Sequence, residues 1–236
     1  MAEIEKSFYL DKNSLALLLT GKGMNSLQCF DVFGKEIIVD DIAACLTLYS
    51  LVQEGIAKVS DDEFELDSDL NNMLDMMISS KRIIVIYSNC KNISNIAFYI
   101  SENMAVSVEQ AAERMDYLKL SSLKSENVFD IVSQRYLKNM QDDILVEDIS
   151  YINDMYLNSL SLLNADDNFE NIILSDDTYL FFDFITSAAQ HSCCKIALIM
   201  SKSGPVIFEW KKNSVHSQFY TYKDLYDIFN QCLEEQ

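Results

Sequence analysis

The chain has 236 residues, 49% of them hydrophobic, and a formal net charge of −19. It is long enough to bury a sizeable core, and its apolar content excludes a disordered chain. This negative charge repels phosphate groups, so we expect neither nucleic-acid binding nor direct membrane binding. No apolar run reaches the roughly 18–20 residues of a membrane span, and the N-terminus lacks the pattern of a secretory signal. We therefore expect a cytoplasmic protein.

The chain begins with a predicted strand and two predicted helices. Residues 7–10 form a short extended piece, and Asp11 or Asn13 then caps a helix whose leucines follow i, i+3, i+4 spacing. A second helix begins at Asp40 or Asp41. One face of it is apolar at helical spacing and is formed by Ile42, Cys45, Leu46 and Tyr49.

A β-hairpin, a helix and a β-meander follow. Residues 56–66 alternate around an acidic turn, and Asp67 or Ser68 caps a third amphipathic helix. Three apolar runs then predict an antiparallel meander at residues 82–87, 96–100 and 105–108. A possible fourth strand at 117–120 and a helix at 125–137 complete a first half that spans residues 1–140.

The second half, residues 141–236, predicts the same layout. An amphipathic helix at 145–156 precedes an acidic turn at 164–168, and Ser175 or Asp176 caps another helix. That helix would place four apolar side chains on one face, Phe181, Phe184, Ile185 and Ala188. A second meander runs through residues 195–200, 206–210 and 218–222, and the last helix begins near Lys223. We therefore predict an α+β fold with a quasi-two-fold repeat of helices plus meander, packed as a single compact domain.

Catalytic and metal motifs are missing from the sequence. The only histidines, His191 and His216, lie in no recognisable protease or hydrolase motif. The six cysteines mostly lie inside apolar runs, which is typical of small buried thiols. The clustered carboxylates fit turn and cap positions better than metal loops. We predict no enzyme activity, no catalytic residue, no metal site and no cofactor.

Trp210, the only tryptophan, is the main candidate for a partner contact. Strand alternation places Phe208 and Trp210 on one face and Ile207 and Glu209 on the other. Trp210 is therefore either a core residue or a partly exposed anchor for a partner. The hairpin tip at residues 202–205 and the loop at residues 89–95 are predicted to contribute residues at the rim of this site. The predicted partner-binding set is Trp210, Phe208, Lys202, Pro205 and Asn92.

Three stretches resemble EspG, the family of cytosolic chaperones of type VII (ESX) secretion systems. Residues 8–18, Phe-Tyr-Leu-Asp-Lys-Asn-Ser-Leu-Ala-Leu-Leu, are similar to the family's first strand and helix. Residues 51–74 are similar to its segment of helix, Gly-apolar pair, acidic turn, Leu-Asp-x-Asp-Leu and helix. The two meanders with their helices match its quasi-two-fold architecture. The Asn-, Lys-, Ile- and Asp-rich composition departs from that of the usual members, so the chain resembles a distant one.

The resemblance implies a chaperone without catalysis. Such a protein would bind a helical-hairpin secretion substrate, cover its apolar residues and keep it soluble, as a monomer or weak homodimer. The alternative function is an acidic immunity-type protein that neutralises a basic toxin through its carboxylates. Salt should weaken an immunity-type complex sharply and affect an apolar groove little.

Overall fold

The computed structural model describes residues 4–30, 32, 41–60, 63–89, 94–112, 114, 116–138, 178–186, 191–201, 204–211 and 214–234. It is a mixed α+β protein with antiparallel sheet pairing, as predicted. Two compact units are formed, one by Met1–Ile83 with Ile96–Val128, the other by Ile84–Asn95 with Phe129–Gln236. Residues 84–95 and 129–140 thus cluster with the second unit, although sequence analysis assigned them to the first half.

The described elements follow in chain order. Up to residue 124 they are β1 (Ile4–Asp11), α1 (Lys12–Gly21), α2 (Asp41–Gln53), β2 (Ala57–Ser60), β3 (Glu63–Leu66), α3 (Ser68–Ser79), β4 (Arg82–Ser88), β5 (Ile96–Ile100), β6 (Met104–Gln110) and β7 (Tyr117–Lys124). A helical segment follows, made of a 3₁₀ turn (Ser125–Asn127), α4 (Val128–Val132) and a π-helical turn (Ser133–Leu137). The remaining described elements are β8 (Thr178–Thr186), β9 (His191–Ser201), β10 (Gly204–Lys211), β11 (Ser214–Phe219) and α5 (Tyr222–Glu234).

The first unit contains antiparallel strands in the order β1-β7-β6-β5 and a separate β2–β3 hairpin. Its helices begin where the sequence predicts. The Asp11 carboxylate accepts hydrogen bonds from the backbone N–H groups of Asn13 and Ser14, each 3.0 Å long, at the start of α1. Asp67 accepts from the N–H groups of Asp69 and Leu70 at the start of α3. These caps satisfy backbone donors that have no partner inside a helix.

Among the described residues, the core of the first unit is mainly aliphatic and also contains the buried rings of Phe98 and Tyr99. The predicted inner face of α3 is buried, and it consists of Leu70, Met73, Leu74 and Met77. Tyr99 on β5 is also buried, and its hydroxyl oxygen accepts the Gln28 backbone N–H at 3.1 Å. Burial raises the pKa of the Tyr99 phenol well above its usual range, so the group stays neutral and fixes the segment after α1.

The second unit corrects one predicted helix. Residues 178–186 form strand β8, which pairs antiparallel with β9, whereas the sequence analysis predicted a helix capped by Ser175 or Asp176. The run Thr-Tyr-Leu-Phe-Phe-Asp-Phe-Ile-Thr is rich in aromatic and β-branched residues, which favour a strand. A strand buried on both faces is continuously apolar, so its periodicity does not separate it from a helix. The predicted elements at 145–156 and 164–168, and Ala188, lie outside the described residues.

Strands β8-β9-β10-β11 present two different faces. Phe182 and Phe184 of β8 contact the Phe229 ring of α5, with ring centroids 6.0 and 5.3 Å apart. On the opposite face Phe181 of β8 belongs to a buried apolar cluster that includes Phe208 of β10. On α5 the side chains of Leu225, Phe229 and Cys232 are buried, and that of Ile228 is half-buried. Both faces of this sheet therefore contribute to the core.

Candidate docking surface

Helix α2 exposes an apolar face to solvent. We call its residues, Ile42, Cys45, Leu46 and Tyr49, the α2 stripe. The exposed fractions of Ile42, Leu46 and Tyr49 are 71%, 65% and 64%, and Cys45 is exposed as well. Their i, i+3, i+4, i+7 spacing places them along one side of the helix. Single exposed apolar residues are ordinary on protein surfaces, but a row of four on one helical face is typical of an interaction site.

The other side of α2 explains this orientation. Leu51 is only 1% exposed, and α2 packs against α1 and β2. Three more apolar residues share that side at helical spacing and are half-buried, namely Ala44, Leu48 and Val52. The helix is therefore apolar on two sides, and the side that contains Leu51 packs against the core. Sequence analysis identified the α2 stripe as an apolar face but not as the face left in solvent.

The sequence around the α2 stripe is acidic. No Lys or Arg occurs between Lys35 and Lys58, whereas Asp40 precedes the helix, Asp41 is its first residue and Glu54 follows it. The Glu54 side chain is exposed. Carboxylates beside an apolar row favour a partner that carries Lys or Arg on both sides of its own apolar residues.

The predicted partner-binding residues differ in burial. Phe208 is fully buried and Pro205 is buried, so both contribute packing in this structure. Trp210 is half-buried, with its ring stacked on Phe208 at a centroid distance of 6.0 Å. Lys202 and Asn92 lie outside the described residues. A partner contact of Trp210 stays a prediction.

Asp183 forms a cross-strand row with Lys195 and Trp210. Its Oδ1 atom is buried and has no hydrogen-bond partner among the described residues. Burial raises the pKa of the Asp183 carboxyl, although a hydrogen bond from Ser192 and the charge of Lys195 partly oppose the shift. The folded protein therefore holds this proton more tightly than the unfolded chain does.

Asp183→Asn is expected to raise the free energy of unfolding at neutral pH by about 1–2 kcal/mol. The protonated carboxyl stabilises the folded state below the ordinary pKa of 3.8, and this contribution is lost as pH rises through the raised folded-state pKa. The gain in stability from Asp183→Asn should therefore disappear at acidic pH, where the Asp183 carboxyl is itself protonated. Urea unfolding across the pH range measures it, with the exposed Asp130→Asn as control. An equal effect of Asp183→Asn at every pH would contradict the assignment.

The cysteines are not uniformly free thiols. Cys194 and Cys232 are buried, as predicted, but they are joined as a disulfide, which sequence analysis did not predict. Cys29 and Cys193 are half-buried thiols. Cys90 lies outside the described residues. The 38-residue separation of Cys194 and Cys232 gives no motif by which their proximity could be recognised.

Comparison with known protein families and with curated proteins found no family model and no sequence that matches this chain. The resemblance to EspG chaperones therefore depends on the stretches quoted above. Among the described residues, no helix combines the length and apolarity needed to cross a membrane.

Proposed function

We propose that this chain is a binding module that holds an amphipathic helix of a partner protein on the α2 stripe. The main observation in favour of this proposal is that Ile42, Leu46 and Tyr49 are exposed on one side of α2. A partner helix that lays its own apolar face on such a row removes both surfaces from water. An aromatic residue and two large aliphatic side chains supply the anchors that dominate this type of interface.

The negative charge of the chain indicates which kind of partner binds to the α2 stripe. Two copies of a chain with net charge −19 repel each other, and α2 itself carries no basic residue. A second copy is thus a poor fit for the stripe. A partner helix whose apolar residues are flanked by Lys or Arg complements the α2 stripe in two ways. Its apolar residues pack on the stripe, and its basic residues attract the acidic residues at the ends of α2.

The more specific proposal is a cytosolic secretion chaperone that keeps a helical-hairpin substrate of a type VII system soluble. Two features support it: the EspG-like stretches and an apolar helical face that suits a helical client. The short α2 stripe also favours a modest, reversible interface, which a chaperone needs because it must release its client. No catalytic step is part of this proposal.

Leu46→Asp is expected to weaken helix binding at least about tenfold, or ~1.4 kcal/mol. The substitution places a carboxylate where the partner's apolar face must lie. A suitable probe is a labelled synthetic amphipathic helix with leucines on one face and lysines beside them, followed by fluorescence anisotropy. Because Leu46 is 65% exposed, the free energy of unfolding should change by less than about 0.5 kcal/mol.

Two controls separate specific binding from general attraction. Tyr9→Asp changes a 50% exposed aromatic residue on β1 and should leave affinity unchanged. A peptide of the same composition with scrambled leucines should bind weakly, because it keeps the charge but loses the apolar face. Equal affinity of wild type and Leu46→Asp would refute the proposed surface. A dimer of the chain alone that Leu46→Asp dissociates would assign the stripe to a second copy instead.

The net charge of −19 favours the second candidate function, an immunity-type protein that neutralises a basic toxin. Association through carboxylates weakens steeply as salt rises, whereas the burial of the α2 stripe responds little. A complex with the natural partner that survives high salt and is lost in Leu46→Asp supports the chaperone. A complex that dissociates in salt and tolerates Leu46→Asp supports the immunity function.

A further inference from the structure

A buried trio of metal-ligating side chains lies between the second unit's sheet and α5. Cys194 comes from β9, Glu209 from β10 and Cys232 from α5. Their exposed fractions are 3%, 8% and 0%, and their donor atoms all lie within 4.8 Å of one another. The disulfide explains why the two sulfurs meet, but it does not require the buried carboxylate of Glu209 beside them.

We propose that Cys194, Cys232 and Glu209 form a Zn²⁺ site when the two cysteines are thiols. Zinc binds thiolate sulfur at roughly 2.3 Å and carboxylate oxygen at roughly 2.0–2.2 Å in tetrahedral geometry, which separates neighbouring ligand atoms by about 3.6 Å. The distance between Cys232 Sγ and a Glu209 carboxylate oxygen is 3.8 Å. The spacing of this pair already matches two corners of such a tetrahedron.

The chemistry of Glu209 supports a cation at this place. A carboxylate in an apolar environment loses much of its hydration, and a divalent ion compensates that loss more completely than a neutral thiol does. Ile207, which shares the Glu209 face of β10, is almost completely buried. Glu209 thus projects its charge from an otherwise apolar stretch toward the two sulfurs.

We assign the fourth ligand to His216 on the basis of strand register. It lies directly opposite Glu209 in the β10–β11 register, and directly paired residues project from the same side of a sheet. The His216 side chain is exposed, so its imidazole can turn toward the trio without disturbing the core. β11 also ends the strand order, which gives the ion a route from solvent.

The disulfide and the metal-bound form are alternatives. A dithiol reductant donates two electrons, becomes a disulfide itself and leaves Cys194 and Cys232 as thiols. Zn²⁺ binding then displaces the two thiol protons into solvent, so affinity should rise with pH. In the disulfide form a sulfur–sulfur bond links α5 to the sheet, and in the metal-bound form the ion links them.

Cobalt titration of the full-length protein, kept reduced by a non-coordinating phosphine, tests the proposal. We expect one equivalent of Co²⁺ to produce thiolate-to-cobalt charge-transfer absorption, and Zn²⁺ to remove it. Cys232→Ser should abolish the band, and His216→Gln should weaken binding without abolishing it. Cys193→Ser is the matched control, because Cys193 is not part of the trio and donates its thiol hydrogen bond to the Phe184 carbonyl oxygen.

Glu209→Gln keeps both cysteines and the shape of the side chain, so it tests the carboxylate even if Cys232→Ser unfolds. We expect at least a tenfold loss of Co²⁺ affinity with an unchanged circular dichroism spectrum. No charge-transfer band in the reduced wild type would overturn the proposal, as would equal affinity of Glu209→Gln and wild type. A band that persists in folded Cys232→Ser would also overturn it.

Discussion

Phe229→Ala is expected to lower the free energy of unfolding by about 3–5 kcal/mol, because it opens a cavity where aromatic rings meet. Phe229 is fully buried on α5. Its ring centroid lies 5.0 Å from that of Phe129, 5.3 Å from Phe184 and 6.0 Å from Phe182, with edge-on geometry in each case. Such contacts add to the area that a buried ring removes from water. Urea unfolding followed by circular dichroism measures the loss.

Tyr226→Ala provides the matched control on the same helix. Tyr226 also contacts Phe129, at a centroid distance of 5.1 Å, but it is 44% exposed. We expect a loss of no more than about 1 kcal/mol, since the contact lies at the surface and no closed cavity forms. If the two alanine variants were equally unstable, burial would not be what makes Phe229 important.

Phe208→Ala is expected to have a similarly large effect, about 3–5 kcal/mol, on the opposite face of the same sheet. Phe208 is fully buried in a cluster with Phe181, Ala197, Ile199 and Val206. Thermal and urea unfolding both report the loss. A change below about 1 kcal/mol would contradict the central position of this ring in the core.

Trp210→Ala distinguishes packing from partner contact. Its ring stacks on Phe208, but it is only half-buried, so we expect a smaller loss of stability, about 2 kcal/mol. If Trp210 also anchors a partner, affinity for that partner falls in a variant that remains folded. Unchanged affinity of folded Trp210→Ala would limit this tryptophan to packing.

Local signals in the sequence were sufficient for the capped helices and for most strands. At α1 and α3 an aspartate cap precedes a regular apolar spacing, and the structure contains both caps where predicted. The β2–β3 hairpin and five of the six meander strands were confirmed for a similar reason, since turn residues separate their apolar runs. In each of these cases one pattern fitted one structure. The third strand of the second meander was predicted at 218–222 but lies at Ser214–Phe219, and Tyr222 already begins α5.

Where two patterns fitted, the tertiary context decided. The apolar run of β8 suits a buried helix or a buried strand, and its pairing with β9 selects the strand. In α2 either apolar side could have faced the core, so the sequence did not indicate that Ile42 and Leu46 would remain in solvent. The meeting of Cys194, Glu209 and Cys232 depends on register and helix position, which no local spacing encodes.

The division of the chain into units has a consequence for synthesis. Ile84–Asn95 belongs with Phe129–Gln236, so the second unit is assembled from two pieces separated by part of the first. Within it the Tyr87 ring lies 6.3 Å from that of Phe181, and the Tyr136 hydroxyl donates to the Ser94 carbonyl oxygen at 2.8 Å. Residues 84–95 leave the ribosome long before β8, and they must remain without these contacts until the later piece emerges. A gene fragment that starts at residue 129 would therefore encode an incomplete unit, whereas one that ends at residue 128 contains every part of the first.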